Sequence, residues 1–344
     1  MTGSPSPAPP APGGDDPAPT FSSADCAARL AAFWQAVGQR LPELATGVEP
    51  PPAFWDAVLR VVPPPPGVEP RLNDGSWVLP DWLWVMLAPL IPAPPSHAQG
   101  GRPRADDHTV AQAIFYILRT GIQWKALPAD FGVSASTVHA RFQQWRAAGV
   151  FLQLHAAALH AYDGTCHIAW DWQVVDGAMT KAPLGGQATG RNPTDRGKSG
   201  TKRSLLTDGR GEPLAVDVAG ANVNDHLLLA QTLDSIPIPR PAPTPQQPQN
   251  LALDKGYDYD RARDAAQQHD YTPHIRTRGE EKLAKREIPD YQPRRWVVER
   301  THSWMNRFRR ILIRWEKKVE NFIALLQFAF AWHLCRTAAN SAPH

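Results

Sequence analysis

Apolar positions change period along this chain, and the changes mark out its elements. Leu30, Phe33, Trp34 and Val37, and then Phe54, Trp55, Val58 and Leu59, recur at helical spacing. Proline clusters at 50–52 and 63–66 set these two short helices apart from the rest of the chain. From Val78 the run L-P-D-W-L-W-V-M-L-A-P-L-I-P predicts a helix opened by Pro80 and Asp81 and ended by Pro89 and Pro92. Val110, Ile114, Ile117 and Leu118 predict another over 107–118. Ile168, Trp170, Trp172 and Val174 then alternate with Ala169, Asp171 and Gln173, the period of a strand. Strands over 202–207 and 213–219 around the turn D-G-R-G complete a three-stranded antiparallel meander with it. A proline-rich loop over 236–249 leads to a strand at 251–254, a helix at 260–268 and a short strand at 272–276. A charged connection over 278–292 precedes a basic helix from Arg294, and Val319 to Arg336 is apolar nearly all round, as a buried helix is. The organisation expected is a Pro/Ala-rich disordered tail (1–23), a short helical extension (24–75), an all-α domain (76–158) and a sheet-containing domain (163–340).

Two stretches carry recognition chemistry. In W-K-A-L-P-A-D-F-G-V-S-A-S-T-V-H-A-R-F-Q-Q-W, a short helix ends at Phe131, Gly132 turns, Ser134 caps, and a second helix runs to about Ala147. Val138, Phe142 and Trp145 take the inward face, so Ser136, Thr137, Ala140, Arg141 and Gln144 are expected to point outward. That is the shape of a helix-turn-helix, whose second helix enters the major groove, with Arg and Gln able to read base edges. The second stretch is basic: 276–318 holds fourteen Lys or Arg against six Asp or Glu, a local field suited to a polyanion. The loops G-G-R-P-R at 100–104 and Gly185 to Gly200, with Arg191, Arg196 and Lys198, are smaller basic candidates.

Three acids stand out. Asp176 ends V-V-D at the close of a strand, Asp254 ends L-A-L-D at the close of another, and Glu299 is the one acid among the arginines of R-R-W-V-V-E-R-T-H-S-W-M-N-R-F-R-R. Asp163 and Asp171 compete with Asp176, and Asp225 in N-V-N-D either orients a metal-bound water or caps the helix that follows, the cap being the favoured reading.

V-V-D-G followed by G-K-S-G-T-K-R, then A-L-D-K-G-Y-D, then R-W-V-V-E-R-T-H-S-W-M-N-R-F-R-R, closely resembles the DDE transposases of the IS5 group of bacterial insertion sequences, over roughly Val78 to Cys335. The resemblance implies an α/β fold: a ribonuclease-H-like catalytic domain, a mixed sheet flanked by helices, preceded by an all-α helix-turn-helix DNA-binding domain. It implies that Asp176, Asp254 and Glu299 are catalytic and bind two Mg²⁺ ions, with Mn²⁺ able to substitute. It also implies that Lys198, Lys202, Lys255, Arg295, Arg300 and Arg307 join Ser136, Thr137, Arg141 and Gln144 in binding DNA. The implied partners are double-stranded DNA, as terminal inverted repeats and target, and a second copy of the chain or more on that DNA. Seventy-eight residues separate Asp176 from Asp254 and 45 separate Asp254 from Glu299, too few in the second interval for a large inserted β-domain. Arg295 sits four before Glu299 as in the family's tyrosine–arginine–glutamate–lysine signature; Tyr291 is one residue from the tyrosine place and Asn306 fills the lysine place, with Arg307 beside it as a substitute.

Composition narrows the picture little further. Three scattered cysteines imply neither a disulfide framework nor a zinc knuckle, and no H-E-x-x-H or Walker loop is present. No signal peptide or membrane span is expected, so the chain is placed in the cytoplasm with the nucleoid. Two other readings fit the same residues: a ribonuclease-H-like nuclease that cuts without joining, and a DNA-binding regulator that kept the fold without the chemistry.

Overall fold

The structure, a computed structural model, describes residues 77–93, 103–275, 280, 286–287 and 294–341. The expected tail and extension before Trp77, most of the G-G-R-P-R loop, most of the charged connection and Tyr291 lie outside the described residues. The first helices are α1 (Asp81–Leu87), extended by the 3-10 turn Ala88–Leu90, and α2 (Asp107–Thr120). Asp106 caps α2 by accepting from the Thr109 amide. The 3-10 turn Ala129–Phe131 then breaks at Gly132, whose φ of 65° is one that L side chains rarely adopt. Ser134 accepts from the Thr137 amide and starts α3 (Ala135–Ala147). Helix α4 (Val150–Cys166) has no counterpart among the expected elements.

The sheet holds β1 (Trp172–Lys181), β2 (Gly190–Arg191), β3 (Ser199–Asp208), β4 (Pro213–Gly220), β5 (Asn250–Leu253) and β6 (Thr272–Ile275). Its order is β2-β3-β1-β5-β6, with β4 also on β3. The expected meander is present as β1, β3 and β4, all antiparallel; β5 is parallel to β1, and β6 to β5. β1 starts at Trp172, later than expected. The Ile168 and Ala169 amides are turned onto Asp163 Oδ1 and Asp208 Oδ2, at 2.7 and 3.1 Å, instead of a neighbouring strand.

Helices cover both faces of this mixed sheet. α5 (Leu229–Asp234) follows β4 through the 3-10 turn Asp225–Leu227 and meets β3 through Thr232 and Ser204, 2.7 Å apart. α6 (Asp260–Gln268) precedes β6. The other face takes α7 (Trp296–Met305), the short α8 (Arg309–Leu312) and α9 (Val319–Ser341). α9 is long and apolar enough to cross a membrane by length and composition, but most of it is buried in the fold. Phe328 meets both Phe115 of α2 and Phe151 of α4, with ring centroids 5.7 and 5.5 Å apart. The helical part and the sheet thus share one hydrophobic core.

Candidate active site

Strand register brings two of the three acids together. Val174 of β1 pairs with Ala252 of β5 in parallel, and Asp176 and Asp254 each lie two residues farther on. Side chains alternate faces along a strand, so equal offsets put both carboxylates level and on one face, Asp254 just past the end of β5 but Asp176 midway along β1, which runs on to Lys181 and so does not close at Asp176 as expected. Asp254 is fixed there by the Gly256 amide, which donates to Oδ1 at 2.8 Å, and by Arg295, whose Nη2 stands 3.9 Å from Oδ2. The rival acids are elsewhere: Asp163 holds the Ile168 amide and Asp171 is exposed ahead of β1.

Helix α7 is docked on the sheet at three places. Thr301 Oγ1 donates to the Gly211 carbonyl at 2.5 Å, and Arg300 donates to the Arg210 carbonyl, both on the β3–β4 turn. Asn306 accepts from Arg203 Nη2 of β3 at 3.1 Å. Arg295 reaches Asp254. Arg295, Glu299, His302 and Asn306 follow one another at i, i+4, i+7 and i+11, a single helical stripe. Arg295 and Asn306 touch the sheet side and His302 is buried, yet Glu299 between them is exposed. It shares its stripe with Arg295, the residue of α7 that reaches Asp254. It does not close onto the two aspartates: among the described residues no three His, Cys, Asp or Glu side chains stand close enough to hold one ion.

Charge is unbalanced at this edge. Burial raises the Asp176 carboxyl to about 6; the Gly177 amide opposes this, Asp254 adds to it, Arg295 opposes it and Asp225 adds again. The buried Tyr257 phenol is pushed well up, by burial and then by Asp225 and Asp176 and, more weakly, Asp254. All three aspartates are within electrostatic reach of Tyr257, but Asp225 lies against Gly177, on the sheet face opposite the Asp176 side chain. Asp225 does not cap a helix as expected: Asn224 holds the cap position, and the Asp225 carboxylate turns back to Lys202, Nζ to Oδ2 2.9 Å. Such acids, one of them costly to ionise, suit a hard divalent cation, which prefers carboxylate oxygen and relieves their repulsion.

The chain matches the family model described as "Transposase DDE domain" over residues 162–334, half its length, and the one described as "Putative transposase of IS4/5 family" over 79–155. It is 39% identical over 158 residues to the "Putative transposase for insertion sequence element IS402" of Burkholderia cepacia, covering 44% of this chain and 72% of that protein. The chain belongs to the DDE transposases of the IS4/5 group. It is therefore an enzyme that acts on DNA. A second Burkholderia cepacia protein, "Insertion element IS402 uncharacterized 16.2 kDa protein", is 31% identical over 119 residues, 34% of the transposase and 81% of that protein. Among solved structures, the "Mos1 transposase paired-end complex with left transposon end" matches at 12% identity and TM-score 0.24, covering 72% and 83% of the two chains. The "Mos1 mariner paired end complex with Mn" matches at 11% and 0.24, covering 93% and 99%. Superpositions that loose carry no weight.

The transposase's basic residues divide into surface and strut. Lys198, Lys255 and Arg307 are exposed near the sheet edge and α7. Arg300 is exposed, anchored at Arg210 and laid over Trp296, 4.8 Å from the ring centroid. Lys202 is not available to DNA: it is 3% exposed, with Nζ donating to the Val223 carbonyl and to Asp225. Arg141 is likewise turned in, 7% exposed and 3.4 Å from Asp107, because its position on α3 faces α2. Ser136 and Gln144 do face solvent, while Thr137 is partly covered and its hydroxyl lies 2.8 Å from Ser134 Oγ. Within the basic run, Arg310 and Arg314 are buried: Arg310 binds Glu316, and Arg314 ties the loop at Gln187 and Ala188 to the C-terminal segment. That loop, one of the smaller basic candidates, is a hairpin pinned at these carbonyls. Asn306, in the lysine place of the signature, points at Arg203. Sequence reasoning missed Arg203 and the pairing of Lys202 with Asp225.

Proposed function

We propose that Asp176, Asp254 and Glu299 are the metal-binding catalytic acids of this transposase, which binds the terminal inverted repeats of its insertion sequence, cuts a strand and joins the freed 3′ end to target DNA. The observation that carries this is the strand register that levels Asp176 with Asp254 beneath the α7 stripe bearing Glu299. Bound Mg²⁺, or Mn²⁺ in its place, supplies Lewis acidity to an attacking oxygen and to the leaving 3′-oxygen.

The chain's own residues do the rest. Asp176, within β1, and Asp254, just past β5, offer a rigid pair of oxygen donors on adjacent strands, and Glu299 reaches in from the helix as DNA closes the site. Arg295 offsets part of the acids' mutual repulsion while holding Asp254 in place. Lys198, Lys255, Arg300 and Arg307 line the approach as exposed cations for phosphates, whose neutralisation makes binding salt-dependent. The turn at Gly132 and the exposed face of α3, with Ser136 and Gln144, form the helix-turn-helix that reads the element's ends, Thr137 flanking it. Two ends held together call for at least two copies of the chain.

The test uses the full chain, duplexes copied from the DNA flanking its gene, and a target plasmid. In Mg²⁺ the wild type should nick the end and give strand-transfer product, and Asp254→Ala and Glu299→Ala should give neither. Full activity in either variant would refute the assignment, and nicking without transfer would make the protein a nuclease.

A further inference from the structure

Buried nitrogens gather without partners beneath the last turn of α7. Arg203 stands on the face of β3 that α7 covers, 1% exposed, and only its Nη2 is used, on Asn306 Oδ1 at 3.1 Å. Nε and Nη1 are buried and bond nothing among the described residues. One turn back from Asn306 comes His302, 7% exposed, with neither ring nitrogen partnered. The Asp176 backbone faces that ring too loosely to bond it. Across the strands on the same face, Arg203 has Ala178 of β1 and Val218 of β4, which are short and offer no acceptor. Native interiors rarely leave so many donors idle in one place.

Charge decides what fills it. No carboxylate among the described residues offsets Arg203, whose guanidinium is lowered to about 10 by burial alone. His302 is pushed down to about 3 by burial and then by Arg203, so its imidazole stays neutral and keeps one N–H to donate. Elsewhere this fold pairs its buried guanidiniums: Arg310 has Glu316, and Arg314 has the carbonyls at 187 and 188. A water molecule would take up the idle hydrogen bonds of Arg203 and leave a whole positive charge unbalanced in the interior. An anion accepts from the same donors and balances the charge. With one unit to balance, and a strand and a helix on either side, a small monovalent ion fits better than a phosphate or a sulfate.

We propose that Arg203 and His302 bind a chloride-sized monovalent anion between β3 and α7, a counter-ion that seats the last turn of α7 on the sheet. This site needs neither DNA nor a metal ion, so it stands or falls apart from the reading of the three acids.

The full chain, without DNA and in chelator at pH 7.5, is melted in chloride and in gluconate at equal ionic strength, so that screening is the same. Wild type should melt ~2–4 °C higher in chloride once chloride is tenfold above its dissociation constant. Arg203→Met puts an apolar side chain where the charge was, and should fold and lose the difference between the two salts. Lys318→Ala, which removes an exposed cation, should keep it. Crystals grown in bromide should show anomalous scattering within hydrogen-bond reach of Arg203 and His302. Equal melting of wild type in the two salts, an undiminished chloride response in Arg203→Met, or a water without anomalous signal at that place would each overturn the proposal. Should Arg203→Met fail to fold, the wild-type melts and the bromide crystals decide.

Discussion

Removing the charge of Asp176 should stabilise the metal-free protein, and only above a definable pH. Its carboxyl is raised from an ordinary 3.8 to about 6, by burial and then, against the Gly177 amide, by Asp254. An acid raised in the folded state contributes stability that is complete below pH 3.8 and is lost as pH rises through 6. Two pKa units correspond to about 3 kcal/mol, an upper figure because the side chain is not fully buried. Asp176→Asn keeps the shape and removes the titration. Its melting temperature in chelator should match wild type at pH 3.5 and exceed it by ~5–10 °C at pH 7.5. The buried Asp208 is also raised to about 6, so the measurement must be the difference between the two proteins, in which Asp208 cancels. Adding Mg²⁺ at pH 7.5 should then raise the melting temperature of wild type and leave the variant unmoved. An equal shift at both pH values, or a variant less stable than wild type at pH 7.5, would refute the claim that Asp176 is held at an ionisation cost.

The remaining predictions concern the struts and the DNA surface. Glu316 accepts from Arg310 Nη2 at 2.5 Å and from Trp124 Nε1 at 3.1 Å inside the protein, so Glu316→Leu should lower stability by about 3–5 kcal/mol in urea melts, with Arg310→Met/Glu316→Leu recovering most of it. Gln144→Ala should cost about 1–3 kcal/mol of end binding and leave random-sequence binding unchanged in a competition assay. Arg141→Ala should lower the melting temperature without changing the ratio of end to random affinity, since Arg141 faces Asp107. Arg307→Ala should reduce the slope of log affinity against log salt by about 1, equally for end and random DNA.

How much of the fold is legible in the chain alone depends on how local each signal is. The meander, the Asp254 strand and the Ser134 cap rest on period-two alternation, turn residues and a capping side chain, all within a few positions, and they stand where expected. Helix α4 escaped because V-F-L-Q-L-H-A-A-A-L carries apolar residues on nearly every side. Most of its apolar residues are buried, chiefly against α9, while Leu152 is exposed beside Gln153, so the apolar positions do not confine themselves to one face and set no period. Arg141 and Lys202 were misread for a related reason. A basic residue on the margin of a helix face, or in a strand covered on both sides, turns inward when an acid from another element waits there. Asp107 lies 34 positions from Arg141, and Asp225 lies 23 from Lys202. No local pattern reports such a partner.

Not every cation of the basic segment faces outward. Arg310 and Arg314 are consumed inside, one by Glu316 and the other by backbone carbonyls at 187 and 188. Arg203 is the extreme case: 1% exposed, lowered to about 10 by burial, with Nε and Nη1 unpartnered and Nη2 on Asn306. An uncompensated buried guanidinium costs several kcal/mol. It also sits under the helix that carries Glu299, on the strand next to Asp176. Its charge is felt by the buried His302 of that helix, whose imidazole is pushed down to about 3 by burial and then by Arg203. Asp176 and Asp254 both keep part of their surface toward solvent, the side from which a cation and a phosphate would enter under the proposed function.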